Sequence, residues 1–323
     1  MSSHAIGIDL GGTNLKAGLV SQEEGLLETT RRRTNADQGP EHVLNAIATL
    51  AEHLTDSAPT PVAGIGIGSP GAINWERTTV LRPPNFPGWE RINVREQLQS
   101  RLGEDVPVIV ENDANVAGLG SAYYGTGQPF DSFIMVTLGT GVGGAIIYRN
   151  KIFRGSTGGA AEIGHMTIDH EGPFANSGVG GAIEGYLGQE FLSDHARDRL
   201  INYPGSILPD LVDGDLDRLD PEVLHEAAQN GDEAALDIME WAGHKLGCVL
   251  GSAVNLLDIR TIVVGGGVSG AGDYILDPAR ETLPSFVVPG LRENLQILQE
   301  ELGNEVGLLG AAQLAFAGED AQV

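Results

Sequence analysis

Asp9 closes an apolar run and is followed by Gly11 and Gly12, and two further glycine turns, at 139–144 and 265–267, also follow apolar runs. Glycine removes the Cβ and supplies positive φ, so backbone amides in such turns can approach a ligand closely, and phosphate fits that geometry. Thr13 and Thr140 place hydroxyls in the same turns, and a carboxylate at position 9 can hold Mg²⁺ through its water shell. Ordinary tight turns, with Asp9 closing an Asx-type turn, also account for these residues. Asp113 stands where a short apolar run at 107–110 gives way, through Glu111 and Asn112, to a helical pattern. Two readings are open there: a helix N-cap, or a carboxylate kept ionised by the helix N-terminus and ready to accept a proton. Glu162 and His165 are three residues apart, and Glu184 follows a glycine-rich stretch. Carboxylate, imidazole and amide together suit a polyhydroxylated ligand, because each can serve a hydroxyl as donor or acceptor; His165 taken alone also reads as a structural residue.

The elements that must position these groups follow from the apolar periodicity. Strands are expected at 5–10 and 15–20, joined as a hairpin through the first glycine turn, with further buried strands at 62–67, 107–110 and 260–264. Val43, Leu44, Ile47, Leu50 and Leu54 give 40–54 a helical stripe, and 114–123 reads as a helix. The strand, glycine turn, strand pattern of the opening returns at 133–148, so a duplicated α/β domain with the ligand between the copies is the economical architecture. Because 145–148 is a strand, the glycines at 139–141 are not a Rossmann fingerprint, and no lysine stands in a Walker A context. The stretch 192–230 reads as acidic and mostly helical, 232–257 as a long amphipathic helix with Asp232 as N-cap, 307–316 as a closing helix and 317–323 as a loose tail.

Composition narrows the classes. The 323 residues suit two packed domains, and no apolar run approaches a membrane span. With no basic leader before the first strand, a cytoplasmic location is expected. Cys248 is the one cysteine, which excludes an intramolecular disulfide and a cysteine-based zinc cluster. Forty-four acidic against 19 basic residues give a net charge of −25, which opposes nucleic acid or an anionic membrane as partner. Lysine occurs only at 16, 151 and 245, a depletion that resembles proteins adapted to high salt.

As a set, these motifs resemble the ROK family of sugar kinases and repressors, within the actin-like ATPase (RNase H-like) superfamily. Residues 9–14 are similar to its first phosphate motif, 137–144 to the second and 264–268 to the adenosine motif, while 68–71, 84–89, 111–113 and 162–165 stand in the family's order and spacing. The resemblance implies two duplicated domains, a smaller one from 1–115 with 303–323 and a larger one from 116–302, and an ATP-dependent hexose kinase of glycolysis with Mg²⁺ as cofactor. By it Asp113 is the general base, and Asn85, Asn112, Glu162, His165 and Glu184 join it in binding the sugar. Nucleotide binding falls to Asp9, Gly11, Gly12, Thr13, Asn14, Lys16, Thr137, Gly139, Thr140, Gly141, Gly265, Gly266 and Gly267, with Asp9 the expected Mg²⁺ contact through water. Glucose is the expected hexose, with mannose, fructose, N-acetylmannosamine or a non-catalytic sensor as alternatives, and a homodimer is expected. The family's repressors carry a helix-turn-helix before the kinase-like part, which is not expected ahead of a strand at 5. One departure stands out: Ala175, Ser177 and Ala182 occupy the cysteine positions of the family's structural zinc site, so no zinc is expected.

Overall fold

The computed structural model describes residues 3–323. They form two compact units, one from residues 3–132, 145–161 and 304–323, the other from 133–144 and 162–303. The chain passes between the units at 132/133, 144/145, 161/162 and 303/304; the sequence expectation drew boundaries at 115/116 and 302/303.

In the first unit β1 (His4–Leu10), β2 (Asn14–Ser21), β3 (Gly25–Arg33) and β4 (Val62–Ser69) are followed by the short strands β5 (Ala72–Ile73), β6 (Thr79–Leu81) and β7 (Arg91–Asn93), and then by β8 (Val108–Asn112). The main sheet runs β3-β2-β1-β4-β8, with β5-β6-β7 as a separate small sheet. β1, β4 and β8 are parallel, and their register sets Asp9 beside Gly68, Gly68 beside Glu111 and Ser69 beside Asn112. The carboxyl ends of the three strands therefore finish on one edge, where open α/β sheets bind ligands. β1 is buried along almost its whole length, as expected of a strand covered on both faces.

The helix Pro40–Ser57 starts with Pro at its first position and buries Val43, Leu44, Ile47, Leu50 and Leu54, each contributing about 1.5–3 kcal/mol when fully removed from water. The helix Val306–Ala317 packs on β1, β4 and the helix Asp113–Tyr124. Two glycines permit that approach: a methyl group on Gly66 would overlap the Ala311 carbonyl, and one on Gly310 the Val116 carbonyl. The segment after this helix is ordered, against the expectation of a loose tail. Gln322 bridges Ile152, the Val323 amide donates to the Ile152 carbonyl at 3.0 Å, and Ala321 is buried.

In the second unit β9 (Phe133–Leu138) ends in the glycine turn from which β10 (Val142–Tyr148) departs; from residue 145 the chain belongs to the first unit, where β10 pairs antiparallel with β11 (Lys151–Ile152). β12 (Thr261–Gly265) lies parallel to β9 and to β13 (Gln296–Gln299). The grammar of β1, turn, β2 with parallel β4 and β8 thus recurs as β9, turn, β10 with parallel β12 and β13. Asp232 caps the long helix Glu233–Leu257 by accepting from the Ala235 amide. The stretch expected to be mostly helical at 192–230 is broken into Gln189–Arg199, Leu208–Leu211 and Pro221–Gln229. Among the described residues no helix is long and apolar enough to cross a membrane.

Candidate active site

In the first unit the Gly11–Asn14 turn is closed by a hydrogen bond from the Gly11 amide to the Asn14 carbonyl, 3.1 Å, and is fixed from outside by the Thr34 hydroxyl donating to the Gly11 carbonyl at 2.6 Å. A side chain at position 11 would stand 2.8 Å from the Asn14 carbonyl oxygen, so the turn closes only around glycine. Asp9 pairs across the hairpin with Lys16, Oδ2 to Nζ 3.7 Å, both side chains 30% exposed. Burial pushes the Asp9 carboxyl above its ordinary value, with the Lys16 ammonium pulling the other way. Gly12 faces Asn85: a methyl group on it would lie 3.6 Å from the Asn85 Cβ. Asn85 itself is exposed in a left-handed conformation (φ 65°), on a loop anchored by buried Phe86 and Trp89, whose rings meet edge to face at 5.3 Å.

Of the two readings open at 112–113, the cap belongs to Asn112. Its Oδ1 accepts from the amides of Ala114 (3.0 Å) and Asn115 (3.3 Å), while Nδ2 donates to the Gly71 carbonyl at 3.4 Å. Asp113 is the first helical residue, exposed, and its Oδ1 accepts from the Ala114 amide at 2.9 Å. Behind the turn lies a cluster that the sequence reading did not find. Glu111 is fully buried; its Oε1 accepts from the Asn112 amide (2.8 Å) and the Asn115 side chain (3.1 Å), and its Oε2 stands 2.9 Å from Nε of both Arg77 and Arg154. The available signal was a carboxylate closing an apolar strand, since a buried charge has to be paired.

In the second unit the turn after β9 is held by the Gly139 amide donating to the Gly141 carbonyl (2.9 Å) and the Gln189 amide donating to the Gly139 carbonyl (3.0 Å). Glu184 lies against this turn: its Oε2 accepts from the Val142 amide at 3.1 Å and occupies the space that a side chain at Gly141 would need. Gly265 pairs in register with Thr137, and a Cβ on Gly266 (φ 89°) would overlap the Leu138 backbone, so the second and third glycine turns are neighbours. His165 offers one ring nitrogen to each of two partners, Nε2 at 3.7 Å from Glu162 Oε2 and Nδ1 at 3.2 Å from the Ser177 hydroxyl.

Within each unit, then, the residues singled out in the sequence come together. Asp9, the 11–14 turn and Asn85 share one region of the first unit, and Asn112 with Asp113 stands at the end of β8. In the second, Thr137, the 139–141 turn, Glu184 and 265–267 form one group and Glu162 with His165 another.

The donor chemistry fits Mg²⁺ but not zinc. Mg²⁺ commonly binds through one or two carboxylates and the substrate's phosphates, and Asp9 beside a glycine turn offers such a carboxylate. Ala175 and Ala182 present methyl groups and Ser177 a hydroxyl where zinc needs thiolates. The 172–184 loop is held instead by backbone pairing. The Ala175 amide donates to the Val179 carbonyl at 3.1 Å, Gly181 to Pro173 at 2.7 Å, Ile168 to Gly181 at 2.9 Å and Ile183 to Met166 at 3.0 Å.

The fold is that of the actin-like ATPases. The ROK family model matches residues 5–317, and the chain belongs to that family. It is 36% identical over 313 residues to a glucokinase of Streptomyces coelicolor and 32% identical over 309 residues to a glucokinase of Thermotoga maritima, with 96% of each chain covered in both cases. A crystal structure of a ROK family glucokinase from Streptomyces griseus, in complex with glucose and AMPPNP, superposes with a TM-score of 0.86 at 35% identity, covering 98% of this chain and 100% of that one.

Proposed function

We propose that the chain transfers the terminal phosphate of ATP to the 6-hydroxyl of glucose. It is an ATP-dependent sugar kinase, and the glucokinases among its relatives, at 32% and 36% identity, support glucose as the hexose. The observation that carries the reading is the division of labour at 112–113. Asn112 caps the helix, so the exposed Asp113 carboxylate at the carboxyl edge of the sheet is not needed as its N-cap.

Asp113 accepts the proton of the attacking hydroxyl and orients it, while Asn85, Asn112, Glu162, His165 and Glu184 pair with the other hydroxyls. Backbone amides of the turns at 11–13, 139–141 and 265–267, with the hydroxyls of Thr13, Thr137 and Thr140, bind the nucleotide, Asn14 and Lys16 extending the first of these sets. Asp9 would hold Mg²⁺ through water. The ion, when bound, neutralises charge on the phosphate oxygens. Phosphoryl transfer passes through a loose transition state, so positioning and charge neutralisation dominate.

A coupled assay over glucose, mannose, fructose and N-acetylmannosamine, with ATP, ADP or polyphosphate as donor, tests this. The highest kcat/KM is expected for glucose with ATP. A preference for another hexose would move the specificity, and sugar binding without turnover on any donor would replace the kinase with a sensor.

A further inference from the structure

We propose that Arg154 is a positioning residue for phosphoryl transfer: with Arg77 it locks Glu111 behind the Asn112–Asp113 turn, and the C-terminal residues Gly318 and Gln322 are part of the lock. The inference rests on the kinase reading for its catalytic half.

Each oxygen of Glu111 has a separate task. Oε1 holds the turn itself, through the Asn112 amide and the Asn115 side chain, and Oε2 holds the two guanidinium groups. Movement of the carboxylate away from the arginines therefore carries the backbone of residue 112 with it. Arg77 Nε donates a hydrogen bond to Oε2, whereas Arg154 Nε meets it only as an ion pair at 2.9 Å. Arg154, fully buried, donates through Nη1 and Nη2 to three successive carbonyls, Ile73 (3.5 Å), Asn74 (3.0 Å) and Trp75 (2.8 Å), and to Gln322 Oε1 (3.1 Å). Its guanidinium also lies 5.2 Å from the centre of the Trp75 ring. Arg77 Nη1 donates to the Gly318 carbonyl at 3.3 Å, while its buried Nη2 has no hydrogen-bond partner among the described residues.

Stability alone does not account for this arrangement. Two buried guanidiniums facing one carboxylate leave an excess positive charge, and a buried ion cluster is often no more stabilising than apolar residues of equal volume. What it supplies is geometry: the planar fork of arginine fixes several acceptors at once, which the point charge of lysine does not. The acceptors here are the 73–75 carbonyls and Gln322, and the same guanidinium pairs with Glu111, the carboxylate that holds the turn bearing the proposed base. A Lys at 154 keeps the charge and loses the fork, which separates the two contributions.

The test uses the full chain carrying Arg154→Lys or Gln322→Ala, each alone and combined with Asp113→Asn, with kcat, KM for glucose and MgATP, and hydrogen exchange of the amides at 112–115. Arg154→Lys should lower kcat by about 10- to 100-fold, the size of a displaced catalytic group, with KM for MgATP within about twofold. In the Asp113→Asn background the same change should cost less than about twofold, because placement of an absent base has no further effect. Amides 112–115 should exchange faster in Arg154→Lys and, to a smaller degree, in Gln322→Ala. Equal losses of kcat in both backgrounds, or unchanged exchange at 112–115, would overturn the proposal. If Arg154→Lys does not fold, Gln322→Ala decides, since it removes one peripheral hydrogen bond. Wild-type protein without sugar kinase activity would overturn the catalytic half through the kinase reading, and the exchange data would still decide the positioning half.

Discussion

Asn112 carries two tasks that substitution can separate. Its Oδ1 caps the helix Asp113–Tyr124 by accepting from two amides, at 3.0 and 3.3 Å, and its Nδ2 is a donor at the carboxyl edge of the sheet. Ala removes both; Asp keeps the capping oxygen and removes the donor. Loss of an Asn cap costs about 0.5–2 kcal/mol, and Asp caps about as well as Asn. At about 2–4 °C per kcal/mol for units of this size, Asn112→Ala should lower Tm by roughly 1–8 °C and Asn112→Asp by much less. The lost donor should appear in sugar binding: one neutral hydrogen bond is worth about 0.5–1.5 kcal/mol, so KM for glucose should rise roughly two- to twelvefold in both variants. Thermal unfolding followed by circular dichroism and steady-state kinetics with glucose give the two readings. An unchanged Tm in Asn112→Ala would refute the cap, and an unchanged KM in Asn112→Asp would refute the donor role.

Asp113→Asn should reduce kcat by at least ~10² with glucose binding retained by calorimetry, and near-normal turnover would remove it as the base. KM for MgATP should rise on acidification from a pH above the ordinary carboxylate range, since burial raises the Asp9 pKa and the protonated form cannot hold Mg²⁺ water; Asp9→Asn should have no such limb. By linkage a raised carboxyl pKa means stability lost as pH rises through it, so Asp9→Asn should also raise Tm at neutral pH; a fall would contradict the sign. Elemental analysis should find no stoichiometric zinc, and chelators should leave Tm unchanged, because the 172–184 loop is held by backbone hydrogen bonds. With a net charge of −25, Tm should rise with KCl as the screening length falls from about 30 Å at ~0.01 M to about 3 Å at ~1 M. A flat or falling Tm would leave an acidic surface without salt adaptation.

What the sequence made legible is what local pattern determines. The hairpin of β1 and β2, its echo at β9 and β10, and the helix Pro40–Ser57 are readable because apolar spacing and glycine turns coincide with the elements. The missing elements lack that coincidence. β3 (GLLETTRRR) is a half-exposed edge strand whose polar residues give no apolar run, and the helix Asp273–Thr282 carries Pro278 inside it. β13 is four residues, two of them glutamine, recognisable only through its pairing with β12. The Glu111 cluster was beyond spacing altogether: its arginines lie 34 residues before and 43 after it, and only the topology brings them together.

The same limit explains the ordered tail and the choice between Asn112 and Asp113. Residues 317–323 have a loose composition; what ties their end down is distant in sequence, the Val323 amide donating to the Ile152 carbonyl and the Val323 carbonyl accepting from the Arg154 amide. Asn and Asp are both good caps, so residue type could not assign the cap at 112–113. Backbone conformation assigns it. Asn112 is the last residue of β8 and keeps an extended φ and ψ of −62° and 143°, as an N-cap must, whereas Asp113 already lies inside the helix. The length of β8, set by its pairing with β4 as far as Ser69 beside Asn112, therefore decides which of two adjacent polar residues is the N-cap and which is the first residue of the helix.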